Sequence, residues 1–189
     1  FMNPSNPFFD VTFPAHFSPE LVEEFGVYKT LGWAVDTWAL NENVLPEDVF
    51  LEDLYSVYNM RKDMFMSSLE EDSHDFYMTV FMASDRLQHT FMRYVDEDHP
   101  LYEEGSEYSE EIKKLYIDFD TYVGVVMENY VDEDTTLIVM SDHGFSYLIK
   151  AVNINTWLAY NDFMTVTSVD NTTFKIPDMY KDTVFWPNV

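Results

Sequence analysis

Two segments in which apolar side chains run almost without a break constrain the fold of this chain more than any other feature. They are Asp75 to Ala83 (DFYMTVFMA) and Thr135 to Met140 (TTLIVM). A run this short and this continuous matches a strand covered on both faces, which is the condition of parallel sheets. Two long helical patterns alternate with them. From Pro46 to Leu69, apolar residues recur at three-to-four spacing through Phe50, Leu54, Val57, Tyr58, Phe65 and Leu69, and Pro46-Glu47-Asp48 is a favourable helix start. From Ser109, a candidate cap, to Tyr130, a stripe runs through Ile112, Leu115, Phe119, Tyr122, Val126 and Tyr130. The order helix, strand, helix, strand predicts an α/β fold: part of a mostly parallel sheet flanked by helices.

The flanks are less regular. Pro4, Pro7, Pro14 and Pro19 make the first 19 residues turn-rich, and Ser18-Pro19-Glu20 predicts a short helix from Pro19 to Phe25 that Gly26 stops. Residues 28–44 have no clean period and predict loop with a short strand or turn of helix. A short helix is expected from Val152 to Tyr160, then an alternating stretch from Met164 to Ile176 that Asp170-Asn171 could turn into a hairpin. The chain thus divides into a loop and helical approach or cap region (1–70), a core (71–163) and a hairpin or insertion (164–189). The opening FMNPSNPFFDVTFP has no signal-peptide features, so an internal segment of a single, larger catalytic domain is expected.

Composition narrows the partners. Thirty-five acidic residues against 10 basic ones give a net charge of −25, which opposes nucleic-acid binding and anionic membrane surfaces. With 47% apolar and 17% aromatic residues the chain has material for a core, which excludes disorder as its main state. No run of 18 apolar residues is present, so no membrane segment is expected. The absence of Cys removes disulfides, thiolate nucleophiles and Cys-ligated zinc, and leaves the compartment open.

Both apolar runs end alike, in Ser84-Asp85 and in Ser141-Asp142. Ligands in open α/β sheets gather outside the carboxyl ends of the strands, where these aspartates are expected to fall. If the chain turns helical after Asp85, His89 lies four residues on and on the same face. Asp142 is followed by His143 and by Gly144, a residue that would let the backbone turn sharply. Carboxylate and imidazole are ordinary ligands for zinc, and for manganese or iron, so Asp85 with His89 and Asp142 with His143 are read as two metal half-sites. His16, His74 and His99 have bland readings in loops. Arg86 and Arg93 could touch a phosphate or pair with neighbouring acids.

These residues carry a resemblance. SDRLQHTFMRYVDEDHPLY, TTLIVMSDHGF and VNINTWL, with GVYKTLGWAVDTWALN upstream, resemble the alkaline phosphatase superfamily and within it the type I phosphodiesterase and nucleotide pyrophosphatase branch. Metal-dependent phosphoglycerate mutases share the D-x-x-x-H and D-H-G patterns but usually read ADHGN, and sulfatases need a C/S-x-P-x-R motif that is missing here. The resemblance implies an alkaline-phosphatase-like core and two divalent metal ions, zinc first with manganese or iron as alternatives. It gives Asp85 and His89 to one ion, with a histidine near the C-terminal end of the domain. Asp142 and His143 go to the other, with an N-terminal aspartate and a Thr or Ser nucleophile. The nucleophile, that aspartate and that histidine are not recognisable in this sequence, so it is expected to be a segment that is inactive alone. The expected partners are a phosphate-ester substrate and the remaining parts of the same domain. Bound dications would reverse the repulsion between an acidic surface and a phosphate. The alternatives are a non-catalytic binding module that keeps the fold, or a phosphoglycerate-mutase-like member of the superfamily.

Overall fold

Helices supply all the regular structure in the computed structural model, which describes residues 2–30, 34–71 and 74–147 together with 152, 154, 157, 158, 161 and 163. They are α1 (Phe17–Phe25), α2 (Thr37–Asn41), α3 (Glu47–Glu70), α4 (Ala83–Phe91), a 3-10 turn (Met92–Tyr94) and α5 (Glu111–Tyr130). No described helix is long and apolar enough to cross a membrane.

The α/β expectation is therefore overturned: among the described residues there is no strand and no parallel sheet. Continuous hydrophobicity reports a tendency to be buried, but a strand exists only where a neighbour completes its backbone ladder. No described segment pairs with either run. Residues 76–82 instead form a ribbon whose alternate side chains Phe76, Met78, Val80 and Met82 are exposed. Phe81 turns inward, edge-on to Tyr58 at 5.5 Å and to Tyr122 at 5.5 Å. The second run fares no better, with Ile138 at 74% and Met140 at 83% exposure. Among the described residues no backbone-to-backbone hydrogen bond falls between 136 and 147.

Where the first run was expected to end, helical periodicity has already taken over. Ala83 is the first residue of α4, and Ala83, Leu87, Thr90 and Phe91 form its buried face. Leu87 and Phe91 are fully buried and meet Phe50, Leu54 and Tyr58 of α3, Leu40 of α2 and Leu115 of α5 in one core. The rings of Phe50 and Phe91 stack at 5.8 Å, and Tyr94 and Tyr108 close on Phe91 edge-on at 5.2 and 5.6 Å. Arg93 and Tyr94 both donate to Glu47 Oε1, at 2.7 and 2.9 Å, and so tie the 3-10 turn to the start of α3.

The helix ends follow local chemistry. α3 begins on Pro46 with Glu47 and Asp48 in its first turn, as expected. Asp36 caps α2 by accepting from the Ala39 amide at 2.9 Å. Gly26 closes α1 at φ +84°, a region other residues enter only at a cost. Ser18, which precedes the expected helix start at Pro19, lies inside α1 and is buried, donating to the Pro4 carbonyl at 2.8 Å. Ser109 stays in the turn before α5 and caps nothing. Ile154, Trp157 and Leu158 are helical, in keeping with the short helix expected there. The expected hairpin at 164–176 lies outside the described residues.

Leu87→Ala is expected to lower stability by about 2–5 kcal/mol in urea titration, the usual range for a fully buried leucine. Ile138→Ala should change it by less than about 0.5 kcal/mol, as an exposed side chain does. A cost of several kcal/mol at Ile138 would show that this run is covered after all. Between α3 and α5, burial alone would raise the Asp118 carboxyl, but the Tyr58 hydroxyl at 2.5 Å and the Lys62 ammonium at 3.2 Å outweigh it and hold the group below the ordinary carboxylate range. A depressed carboxyl stabilises the fold above the unfolded value, and that contribution is lost as pH falls through the folded value. Asp118→Asn should therefore cost more at pH 7 than at pH 3 in parallel urea titrations, by less than about 1 kcal/mol for a carboxylate that is 42% exposed.

Candidate metal centre

The core face of α4 fixes the orientation of its opposite edge. With Leu87 and Phe91 locked inside, Asp85 stands in the first turn and His89 one turn later, where helix geometry lets the pair meet. His89 Nε2 lies 3.3 Å from Asp85 Oδ1. The first turn also suits a carboxylate, because the unpaired amides there carry partial positive charge. Arg86 braces the other carboxylate oxygen, with Nη1 3.2 Å from Asp85 Oδ2. Its side chain is only 13% exposed. Burial draws the guanidinium below its usual pKa while Asp85 opposes the shift, so the cation is kept beside its partner.

The second pair arrives on the loop that follows the exposed run. Asp142 folds back on its own chain, Oδ1 accepting from the His143 amide at 3.1 Å. Ser141 Oγ donates to the His143 carbonyl at 2.6 Å. Gly144 does not use the left-handed backbone expected of a sharp turn, and a Cβ there would meet nothing within 4 Å. The loop brings His143 Nε2 to 3.6 Å from Asp85 Oδ1 and 3.7 Å from Asp142 Oδ2. Three of the four residues singled out in the sequence thus meet, His89 and His143 at Asp85 Oδ1, while Asp142 is joined to them only through its neighbour His143.

The tautomer of His143 gives this arrangement its chemical content. His143 Nδ1 lies 3.0 Å from the Gly144 carbonyl, an acceptor only, so in a neutral ring the proton sits on Nδ1. Nε2 then presents a lone pair toward two carboxylates. Acceptors facing one another at this range repel unless a cation lies between them, either a proton or a metal ion. Anchoring the far nitrogen on a backbone carbonyl is also how metal-binding imidazoles are commonly oriented. Tetrahedral zinc with bonds of about 2.0–2.2 Å sets neighbouring donors about 3.3–3.6 Å apart. The donor pairs here, at 3.3 to 3.7 Å, stand close to that spacing. As a set they do not close: among the described residues no group of three or more His, Cys, Asp or Glu side chains is placed to hold a metal ion. The donors suit a metal pair by pair, while further ligands would be needed to complete a shell.

Two aromatic residues were given no role in the sequence reading. Phe145 sets its ring edge-on to His89 at 4.9 Å and to His143 at 5.2 Å. Tyr147 meets His99 at 6.4 Å, so a histidine with no assigned role receives the far end of the loop. Burial lowers the pKa of His99 against the pull of Asp96, and its Nδ1 accepts from the Leu101 amide at 3.0 Å. Arg93, considered for phosphate contact, is engaged with Glu47 at 2.7 Å, away from the four.

A family model described as type I phosphodiesterase / nucleotide pyrophosphatase matches residues 7–183. No curated protein and no solved structure matches the chain.

The tautomer can be checked directly. In the metal-free protein at alkaline pH, long-range proton–nitrogen NMR should show the His143 proton on Nδ1. A proton on Nε2 would mean that the ring donates to the carboxylates, and the case for a cation between them would lapse.

Proposed function

The chain belongs to the type I phosphodiesterase/nucleotide pyrophosphatase family, and from that membership we propose a two-metal phosphohydrolase that cleaves phosphomonoesters or phosphodiesters. Hydrolase chemistry of the phosphodiesterase and pyrophosphatase kind is the family's; the metal pair, the covalent step and the division of labour are our reading of the site. The observation that carries it is the approach of two imidazoles, one from α4 and one from the loop, to a single oxygen of Asp85, with the His143 lone pair aimed at carboxylates.

Asp85 and His89 would hold one ion and Asp142 and His143 the other, zinc first and manganese or iron as alternatives. Bound there, the ions would polarise the phosphoryl oxygens, lower the pKa of the attacking hydroxyl and stabilise the leaving oxygen. Arg86 holds Asp85 Oδ2 so that Oδ1 stays turned toward the imidazoles. The Gly144 carbonyl keeps His143 Nε2 free of a proton in the neutral ring. Asp142, at 89% side-chain exposure, would offer its carboxylate to an ion from the solvent side of His143.

The reading includes a covalent phospho-Thr or phospho-Ser, formed as the bond from phosphorus to the leaving oxygen breaks and cleared by water. Ser141, the hydroxyl next to Asp142, donates to the His143 carbonyl and shapes the loop, so it is not assigned as nucleophile. On our reading the attacking hydroxyl and the remaining ligands come from parts of the catalytic domain other than residues 1–189.

Zinc titration by calorimetry, paired with turnover of p-nitrophenyl phosphate and bis(p-nitrophenyl) phosphate, tests this. In the full-length protein Asp142→Asn and His143→Ala should abolish turnover, while the loss in Asp85→Asn should be partly recovered by excess metal. His16→Ala, on an exposed ring beside Glu20 far along the chain, should change little. Residues 1–189 alone should show no turnover above a metal-only control; robust activity there would put the nucleophile inside this segment. Near-normal turnover in Asp142→Asn would remove the two-metal reading, and zinc binding without turnover in the full-length protein would favour a binding module.

A further inference from the structure

Among the described residues, the loop that carries Asp142 and His143 is held against α4 by side-chain contacts alone. With no described backbone-to-backbone hydrogen bond between residues 136 and 147, its position rests on His143 against Asp85, Phe145 against both imidazoles, and Tyr147 against His99. Among the described ring contacts, Phe145 is the one that meets an imidazole from each half. Its ring is half-buried and stands at 81° to His89 and 60° to His143, near the edge-to-face geometry that aromatic quadrupoles favour.

Each histidine has a single anchored nitrogen: Nδ1 of His143 is held by the Gly144 carbonyl, while its Nε2 stands 3.6 and 3.7 Å from the carboxylates, beyond hydrogen-bond reach. The His89 ring makes no further hydrogen bond or ion pair among the described residues once Asp85 is counted. A ring anchored at one atom can swivel about its Cβ–Cγ bond, because that torsion has broad, shallow wells. Phe145 closes off the swivel. Since it sits two residues after His143 in a non-helical stretch, both side chains leave the loop on one side and reach α4 together.

We propose that Phe145 is a positioning residue that clamps the His89 and His143 imidazoles around Asp85 Oδ1 and so couples the two half-sites. The clamp rests on the metal reading above only for its consequence, metal affinity. Its geometric content, the ordering of two rings from separate elements by one phenyl, stands apart from that reading. Removing a group that orients metal ligands typically weakens affinity 10-fold to 100-fold.

The test compares Phe145→Leu, which keeps apolar bulk but has no flat face, with Phe145→Tyr, which keeps the ring. Carbon-13 relaxation of the histidine side chains in the metal-free protein reads ring order, and zinc competition titration reads affinity. In Phe145→Leu both the His89 and His143 rings should lose order and zinc affinity should fall about 10-fold, with an unchanged far-ultraviolet circular dichroism spectrum; Phe145→Tyr should restore both. Zinc binding in Phe145→Leu equal to that of the parent, or loss of order in one ring only, would overturn the clamp. If the parent protein takes up no zinc, the metal reading fails. The relaxation data then decide the clamp: both rings loosening upholds it, and one or neither loosening sinks it.

Discussion

The buried face of α4 is the constraint on which the rest of the structure depends. Leu87 and Phe91 are fully enclosed by α2, α3 and α5, and because a helix is rigid their placement dictates where every other side chain of α4 points. Asp85 and His89 lie off that face, two residues to either side of Leu87. The same packing that stabilises the fold therefore aims a carboxylate and an imidazole at a common point. Evolving the site at this position required no strained backbone: neither Asp85 nor His89 has a positive φ. It required only that residues beside the buried positions be polar.

Much of the helical half of the fold was legible in the sequence, and for a physical reason. A stripe at three-to-four spacing such as Phe50, Leu54, Tyr58 needs only its own segment to define a helix, so α3 and α5 lie within a residue or two of their expected bounds. The sheet was misread for the converse reason. Phe76 through Phe81 and Leu137 through Met140 have the composition of strands, but strand formation is a relation between segments, and composition does not say whether a neighbour is at hand. The error moved Asp85 from a strand end to a helix turn without disturbing its pairing with His89, because the four-residue spacing survives either way. Phe145 was legible as part of the SDHGF motif, but its packing role was not: a phenylalanine after Asp-His-Gly has no periodicity to report what it touches.

The excess of negative charge is distributed in a way that matters for the site. Among the described residues, three of the scarce cations are engaged as struts between elements: Lys29 with Asp53, Lys62 with Asp118 and Arg93 with Glu47 each bridge segments far apart in sequence. Arg86 is the cation placed at the candidate centre, and it faces Asp85. Under the proposed function a phosphate ester would find these four cations already engaged with carboxylates, and attraction would come from a cation settled between His143 and its two carboxylates.

The side-chain-only attachment of the 136–147 loop separates assembly of the centre from folding of the helices. Amides in such a segment exchange with solvent through a local opening that leaves α3, α4 and α5 intact, so the two halves of the centre can part without global unfolding. A ligand that bridges Asp85 to His143 would act on that local equilibrium first. Its binding free energy would appear as slower hydrogen exchange across residues 136–147, well before it appeared as a higher melting temperature of the helical body.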